Sequence, residues 1–126
     1  MRLPQWLWPA ATDDDGFGQS PFEDLRFLWR FRGCRRRATA WRAADAAERA
    51  HYDAHALFGR FGNHTLGITT VDSRRWVARE RDWHGWPDAP RFAFFAIEAG
   101  DRIWCAADFH HWPQAWGARP DPYRRA

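Results

Sequence analysis

Between Leu25 and Arg32 apolar and basic residues alternate: Leu25, Phe27, Trp29 and Phe31 against Arg26, Arg30 and Arg32, with Leu28 the one break. A period of two sends successive side chains to opposite faces of an extended chain, so this stretch predicts a strand. A helix here would be apolar on both sides, with Phe27 and Phe31 opposite Phe22, Leu25 and Trp29. Just upstream, Ser20-Pro21-Phe22-Glu23 has the form of a capping box with Pro at the first helical position, which predicts a single helical turn leading into that strand. Gly33-Cys34 reads as a turn and residues 35–41 as a returning strand.

The period then changes. Asp45-Ala46-Ala47-Glu48 is a second capping box, and Ala47, Ala50, Ala54, Leu57, Phe58 and Phe61 recur at helical spacing, so a helix of about residues 45–60 is expected. Gly59 and Gly62 are its stop signals. Thr65 to Val71 is rich in β-branched residues and predicts a strand, followed by a turn at Asp72-Ser73 and a further strand from Arg75 to Trp83. His84 to Pro90 reads as a loop. Arg91 to Glu98 and Arg102 to Asp108 flank a turn at Ala99-Gly100-Asp101 and predict a hairpin. The sum is an α+β fold: an antiparallel sheet of about four to six strands with one main helix packed on one face. Residues 21–118 form a single domain in this reading, behind an irregular arm at 1–20 punctuated by Pro4, Pro9, Gly16 and Gly18. A polar tail at 119–126 follows it.

Composition narrows the classes. The 126 residues suit one domain that needs no disulfide or metal to fold. All 19 basic residues are Arg and none is Lys; with 16 acids the net charge is +3. Arg in place of Lys suits bidentate anion contacts, and it also follows from a GC-rich genome of a bacterium or its phage, which abundant Ala favours. The first residues do not read as a secretory signal, and no apolar run approaches the roughly 18 residues of a membrane span. Cys34 and Cys105 are therefore expected as free thiols in a cytoplasmic protein with no membrane partner.

Four constellations could carry chemistry. Seven Arg and no acid lie between Leu25 and Ala44. Of these, Arg30, Arg32, Arg35, Arg36, Arg37 and Arg42 are candidates for binding an anion or nucleic acid, with aromatic rings interleaved for stacking on bases. On an alternating strand, however, the rings would face the core and leave the Arg residues as a solvated stripe. His51 and His55 share a helix side and, with Asp108 and His110, offer nitrogen and oxygen ligands or an acid–base pair for a small metal- or His-dependent hydrolase. The commoner role of such histidines is boundary hydrogen bonding. Cys34 among Arg residues has the setting of a lowered thiol pKa, but no catalytic or cofactor-binding motif accompanies it, so no cofactor and no resident metal are expected. Finally, ten Trp exceed what one small core readily hides. Trp83, Trp86, Trp112 and Trp116, with His111, are candidates for a partner-binding surface, since exposed Trp and Arg are enriched at binding hot spots; the equal alternative is that these rings cover the open end of the sheet in place of missing helices.

The late strands and their Gly-Asp turn are similar in outline to small bacterial immunity proteins, a likeness that carries no residue across. The leading expectation is a non-enzymatic interaction protein of the inhibitor, immunity or anti-defence type, binding a macromolecule through Trp and Arg. A protein is the first partner class, an acidic one being among those the Arg residues would suit, and nucleic acid is the alternative, through residues 26–42. The sequence fixes no oligomeric state.

Overall fold

The computed structural model describes residues 25–82 and 90–122. The expected arm, the capping box at Ser20, the loop at 84–89, and Trp83 and Trp86 lie outside the described residues. Five strands form one antiparallel sheet in sequential order: β1 (Arg42–Ala43), β2 (His64–Val71), β3 (Arg74–Glu80), β4 (Phe92–Glu98) and β5 (Arg102–Phe109). The expected α+β fold is thus present, and the strands expected from Thr65 onward stand within a few residues of their expected bounds. The β2–β3 turn puts Asp72 (φ 53°) and Ser73 (φ 67°) in the left-handed region that two-residue hairpin turns require.

Two α-helices occur among the described residues, not one. The stretch expected as a strand is helix α1, Leu25–Arg36. Phe27, Phe31 and Cys34 are its buried residues, spaced four and three apart, and they fall on one stripe that lies against β5. Tertiary contact at that stripe overrides the period of two. The returning strand expected at 35–41 is displaced to the two residues of β1, which pair with Ile68 and Gly67.

Helix α2, Ala46–Ala54, opens on the expected capping box: the Asp45 carboxylate accepts from the Glu48 amide at 2.8 Å, and Glu48 accepts from the Asp45 amide at 2.9 Å. It is shorter than expected and turned the other way. Ala47, Ala50 and Ala54 are exposed, while Tyr52 is buried and Glu48 and Arg49 are half-buried. At His55 the backbone becomes extended, and a 3₁₀ turn at Phe58–Arg60 drops Phe58 into the core. Gly59 is required there, because a Cβ would stand 2.5 Å from the Asp53 carbonyl oxygen.

Both faces of the sheet are covered. On one, Tyr52 and Phe58 pack over Ile68, Val77, Phe95 and Ile97. On the other, Phe31 and Cys34 of α1 and Trp116 of the C-terminal segment pack over Trp76, Phe94, Ala96 and Phe109. Phe92 to Ile97 of β4 are therefore buried without alternation, as expected for a strand covered on both sides.

Glu48 ties β1 to the start of α2. Its carboxylate takes two bonds from the Arg42 guanidinium, at 2.7 and 2.6 Å, besides its capping role. The Arg42 bond is the main reason its pKa falls to about 2, against an opposing effect of burial. A depressed carboxylate pKa stabilises the fold above its ordinary value of 4.5, and that stability is lost as pH falls towards 2. Arg42 is more than half exposed, so solvent screening reduces the effect to on the order of 1–2 kcal/mol. Glu48→Gln is expected to lower stability by about that amount at pH 7 and to flatten the acid limb between pH 4.5 and 2, read by urea titrations across that range.

Candidate functional site

The outward side of α1 is the apolar side that a strand would have hidden. Leu25 is 77%, Leu28 49% and Trp29 73% exposed; these are the exposed large hydrophobic residues of the described chain. Helical spacing continues the ridge from Leu25 and Trp29 into Arg32 and Arg36, with Arg35 beside it. The first two turns are apolar outside and the last turn is basic, carrying Arg35 and Arg36. The helix contains no acidic residue. Arg32 leans over the Trp29 ring at 5.9 Å and Arg35 over Phe31 at 5.8 Å. No ion pair to Arg32, Arg35 or Arg36 occurs among the described residues.

The other expected anion ligands are engaged within the fold. Arg42 holds Glu48, and Arg37 pairs with Asp72 at 2.7 Å. Arg30 donates to the Trp104 carbonyl at 2.7 Å and lies over its ring at 4.7 Å. Arg74, which the sequence did not single out, lies over the same ring at 3.9 Å and bonds Glu98 at 3.0 Å. A cavity of about 240 Å³ opens between α1 and the sheet, lined by Arg30, Arg37, Arg74, Cys34, Trp76 and Trp104 among others. Trp104 reaches it through a bulge. Ala96 pairs with Cys105 and Ile97 with Ile103, leaving Trp104 as the extra residue of β5.

The histidines do not converge. His55 Nε2 lies 3.9 Å from Asp101 at the start of β5, whereas Asp108 and His110 lie at its other end, about 20 Å further along the strand. His51 and His55 are neighbours, with ring centroids 5.8 Å apart. Among the described residues no group of three or more His, Cys, Asp or Glu could hold a metal ion. His55 instead closes α2: its Nδ1 accepts from the Leu57 amide at 3.0 Å and faces the Phe58 amide at 3.4 Å. Burial holds its pKa below 6.5; Asp101 opposes and His51 adds to that effect. Unfolding therefore takes up a proton, and stability falls as pH drops through 6.5 towards the lower folded value. His55→Asn, which keeps an acceptor near the Nδ1 position without titrating, is expected to flatten stability between pH 7 and 5, read from thermal midpoints across that range. His64 and Asp82, outside the sequence expectations, pair with each other across the β2–β3 edge.

The tryptophan expectation is corrected for Trp116 and, in part, for Trp112. Trp116 is buried, and its indole N–H donates to the Cys34 carbonyl at 2.9 Å. Trp112 is half-buried against it, with ring centroids 5.1 Å apart, and both meet Trp41. These rings form the covering layer of the sheet rather than a docking surface. His110 and His111 beside them are exposed. Among the described residues the exposed indole is Trp29, which the strand expectation places in the core. The signal for it was present: Phe27, Phe31 and Cys34 keep one helical stripe while Leu25, Leu28 and Trp29 keep another.

No described helix is long and apolar enough to cross a membrane. No family model, curated protein or solved structure matches this chain.

Proposed function

We propose that this chain is a non-enzymatic interaction protein of the inhibitor type. It acts in the cytoplasm and docks α1 into an apolar groove with an acidic rim on a protein partner. The observation that supports this reading is the outward ridge of Leu25, Leu28 and Trp29, which runs into Arg32 and Arg36, neither with an ion pair among the described residues. Helix-in-groove recognition uses such i, i+3, i+4, i+7 anchors. Leu25 and Leu28 favour a protein over nucleic acid, because an aliphatic side chain offers neither a charge to a phosphate nor a π face to a base. The guanidinium groups steer an acidic rim into register and Trp29 supplies the buried area. Inhibition follows by occlusion, since α1 is backed by the aromatic core and presents a fixed surface.

Affinity capture from a lysate of the native cell, at low and high salt, tests the reading when run beside Trp29→Ala and the pair Arg32→Glu with Arg36→Glu. The expected result is one acidic protein, retained by the wild type at high salt and lost from Trp29→Ala, whose binding the purified pair then reproduces. Capture of nucleic acid alone, released as salt rises and indifferent to Leu28→Ala, overturns it in favour of the basic end of α1 as a nucleic-acid contact.

A further inference from the structure

Cys34 and Cys105 are separated by most of the chain and expected as isolated thiols. The fold brings them together. Cys34 ends the buried stripe of α1, and that stripe lies on β5. The β5 bulge shifts register so that Cys105 pairs with Ala96, within the same buried cluster as Cys34 and Phe31. The Cys105 thiol lies 3.3 Å from the Phe27 carbonyl and within hydrogen-bonding reach of Cys34. Both are free thiols. Cys34 also lines the cavity between α1 and the sheet, beside the guanidinium groups of Arg30, Arg37 and Arg74. The pair therefore has one cysteine, largely buried, lining a small Arg-rich cavity and a second fully buried behind it.

We propose that Cys34 and Cys105 are a peroxide-responsive pair, with Cys34 the attacking thiolate and Cys105 the resolving thiol, closing to a disulfide that staples α1 to β5. This inference stands apart from the docking surface, which lies on the opposite side of the helix. The hydrogen bond from Cys105 is the largest influence holding the Cys34 thiol below its ordinary range; burial opposes it, the charges of Arg74 and Arg37 add to it, and that of Asp72 opposes it. A lowered thiol pKa together with access for a small oxidant is what selects a cysteine for peroxide attack. In the first step the Cys34 thiolate attacks one peroxide oxygen. The S–O bond forms, the O–O bond breaks, and the leaving oxygen departs as water or an alcohol after taking up a proton. Cys34 becomes a sulfenic acid, oxidised by two electrons as the peroxide is reduced. In the second step the Cys105 sulfur attacks the Cys34 sulfur. The S–S bond forms, the S–O bond breaks, and the Cys105 proton leaves with the hydroxyl as water. One hydroperoxide and two thiols thus give one disulfide, one water, and one alcohol or second water. Cytosolic dithiol reductants would reverse the change.

Treatment of the full chain with a small excess of hydrogen peroxide, followed by thiol counting in denaturant and intact mass under non-reducing conditions, reads the outcome. The wild type is expected to lose both thiols and the mass of two hydrogens while remaining a single chain, and to recover both with dithiothreitol. Cys105→Ser is expected to stop at a sulfenic acid trapped by dimedone at Cys34, and Cys34→Ser to leave Cys105 unreacted. Retention of both wild-type thiols, linkage only between chains, or equal peroxide reactivity of Cys105 in Cys34→Ser overturns the proposal. The wild-type measurements decide it even where a variant folds poorly.

Discussion

Arg79→Ala is expected to cause one of the largest losses of stability of any single substitution in the described chain, about 3–5 kcal/mol, with a fall in Tm of about 10–20 °C. Arg79 sits on β3 with only 1% of its surface exposed. Its guanidinium is bonded through all three nitrogens: it donates to the Phe61 carbonyl at 3.1 Å, the Gly62 carbonyl at 3.1 Å, the Asp53 carboxylate at 2.6 Å, and the Thr65 hydroxyl. Thr65 in turn donates to Asp53 at 2.9 Å. One side chain thus joins the end of α2, the 3₁₀ turn and the first residues of β2. Truncation strands two carbonyls beside a buried site and takes the cation from Asp53, whose carboxylate is 36% exposed and keeps the Thr65 hydroxyl. Removing the buried partner of such a network is more damaging than replacing the whole of it. The combined Arg79→Met, Asp53→Ala, Thr65→Val change should therefore recover part of the loss but not all of it, because the Phe61 and Gly62 carbonyls remain unmet. Chemical denaturation of the three proteins separates these contributions. A loss below about 1 kcal/mol for Arg79→Ala would mean that the network is not formed.

Trp29→Ala is expected to have the largest effect on partner binding, weakening it by about 30-fold or more, the range of a hot-spot tryptophan. Stability should be nearly unchanged, within about 0.5 kcal/mol, because the ring is exposed and, among the described residues, meets Arg32 of its own helix. Phe31→Ala, two positions along the same helix, should do the reverse to stability. Its ring sits among Phe94, Phe109 and Trp116 at centroid distances of 5.3 to 6.1 Å, and its loss should lower stability by about 3–5 kcal/mol. Arg32→Glu with Arg36→Glu should slow association and reduce its salt dependence more than it speeds dissociation. Calorimetry and stopped-flow binding against the captured partner, with thermal melts of each variant, check all three. If Trp29→Ala binds as the wild type does, the α1 ridge is not the docking surface.

The two faces of α1 explain where sequence reading succeeded and where it failed. From Thr65 onward β-branched runs, the Asp72-Ser73 turn and the Gly100 turn made the sheet legible, since strand period and turn chemistry agree there. At Leu25 to Arg36 two periods coexist. The stretch satisfies alternation, and it also satisfies two helical stripes, one for β5 and one for solvent. Being apolar on both sides counted against a helix, yet that is the signature of a helix with one face in the core and another turned outward. Helix α2 misled in the opposite sense: alanines at helical spacing marked its outer side, because Ala is a good helix former wherever it stands. The contact of Cys34 with Cys105 had no sequence signal, since it depends on a register shift in β5. The Trp surplus leaves two readings open in the sequence, an exposed surface or rings covering the sheet in place of a helix, and the segment around Trp112 and Trp116 takes the second.

That register shift also bears on self-association. Strand β5 is the outer strand of the sheet, and a long regular outer strand is a template on which a second copy can continue the ladder. Here the extra residue at Trp104 breaks the spacing of the open ladder, the Arg30 guanidinium occupies the Trp104 carbonyl, and exposed Arg102 and Asp108 place charge near each end. At the opposite margin β1 offers only two residues. The same irregularity that lets a helix and a cysteine meet β5 leaves the sheet with no clean edge for growing into a fibril.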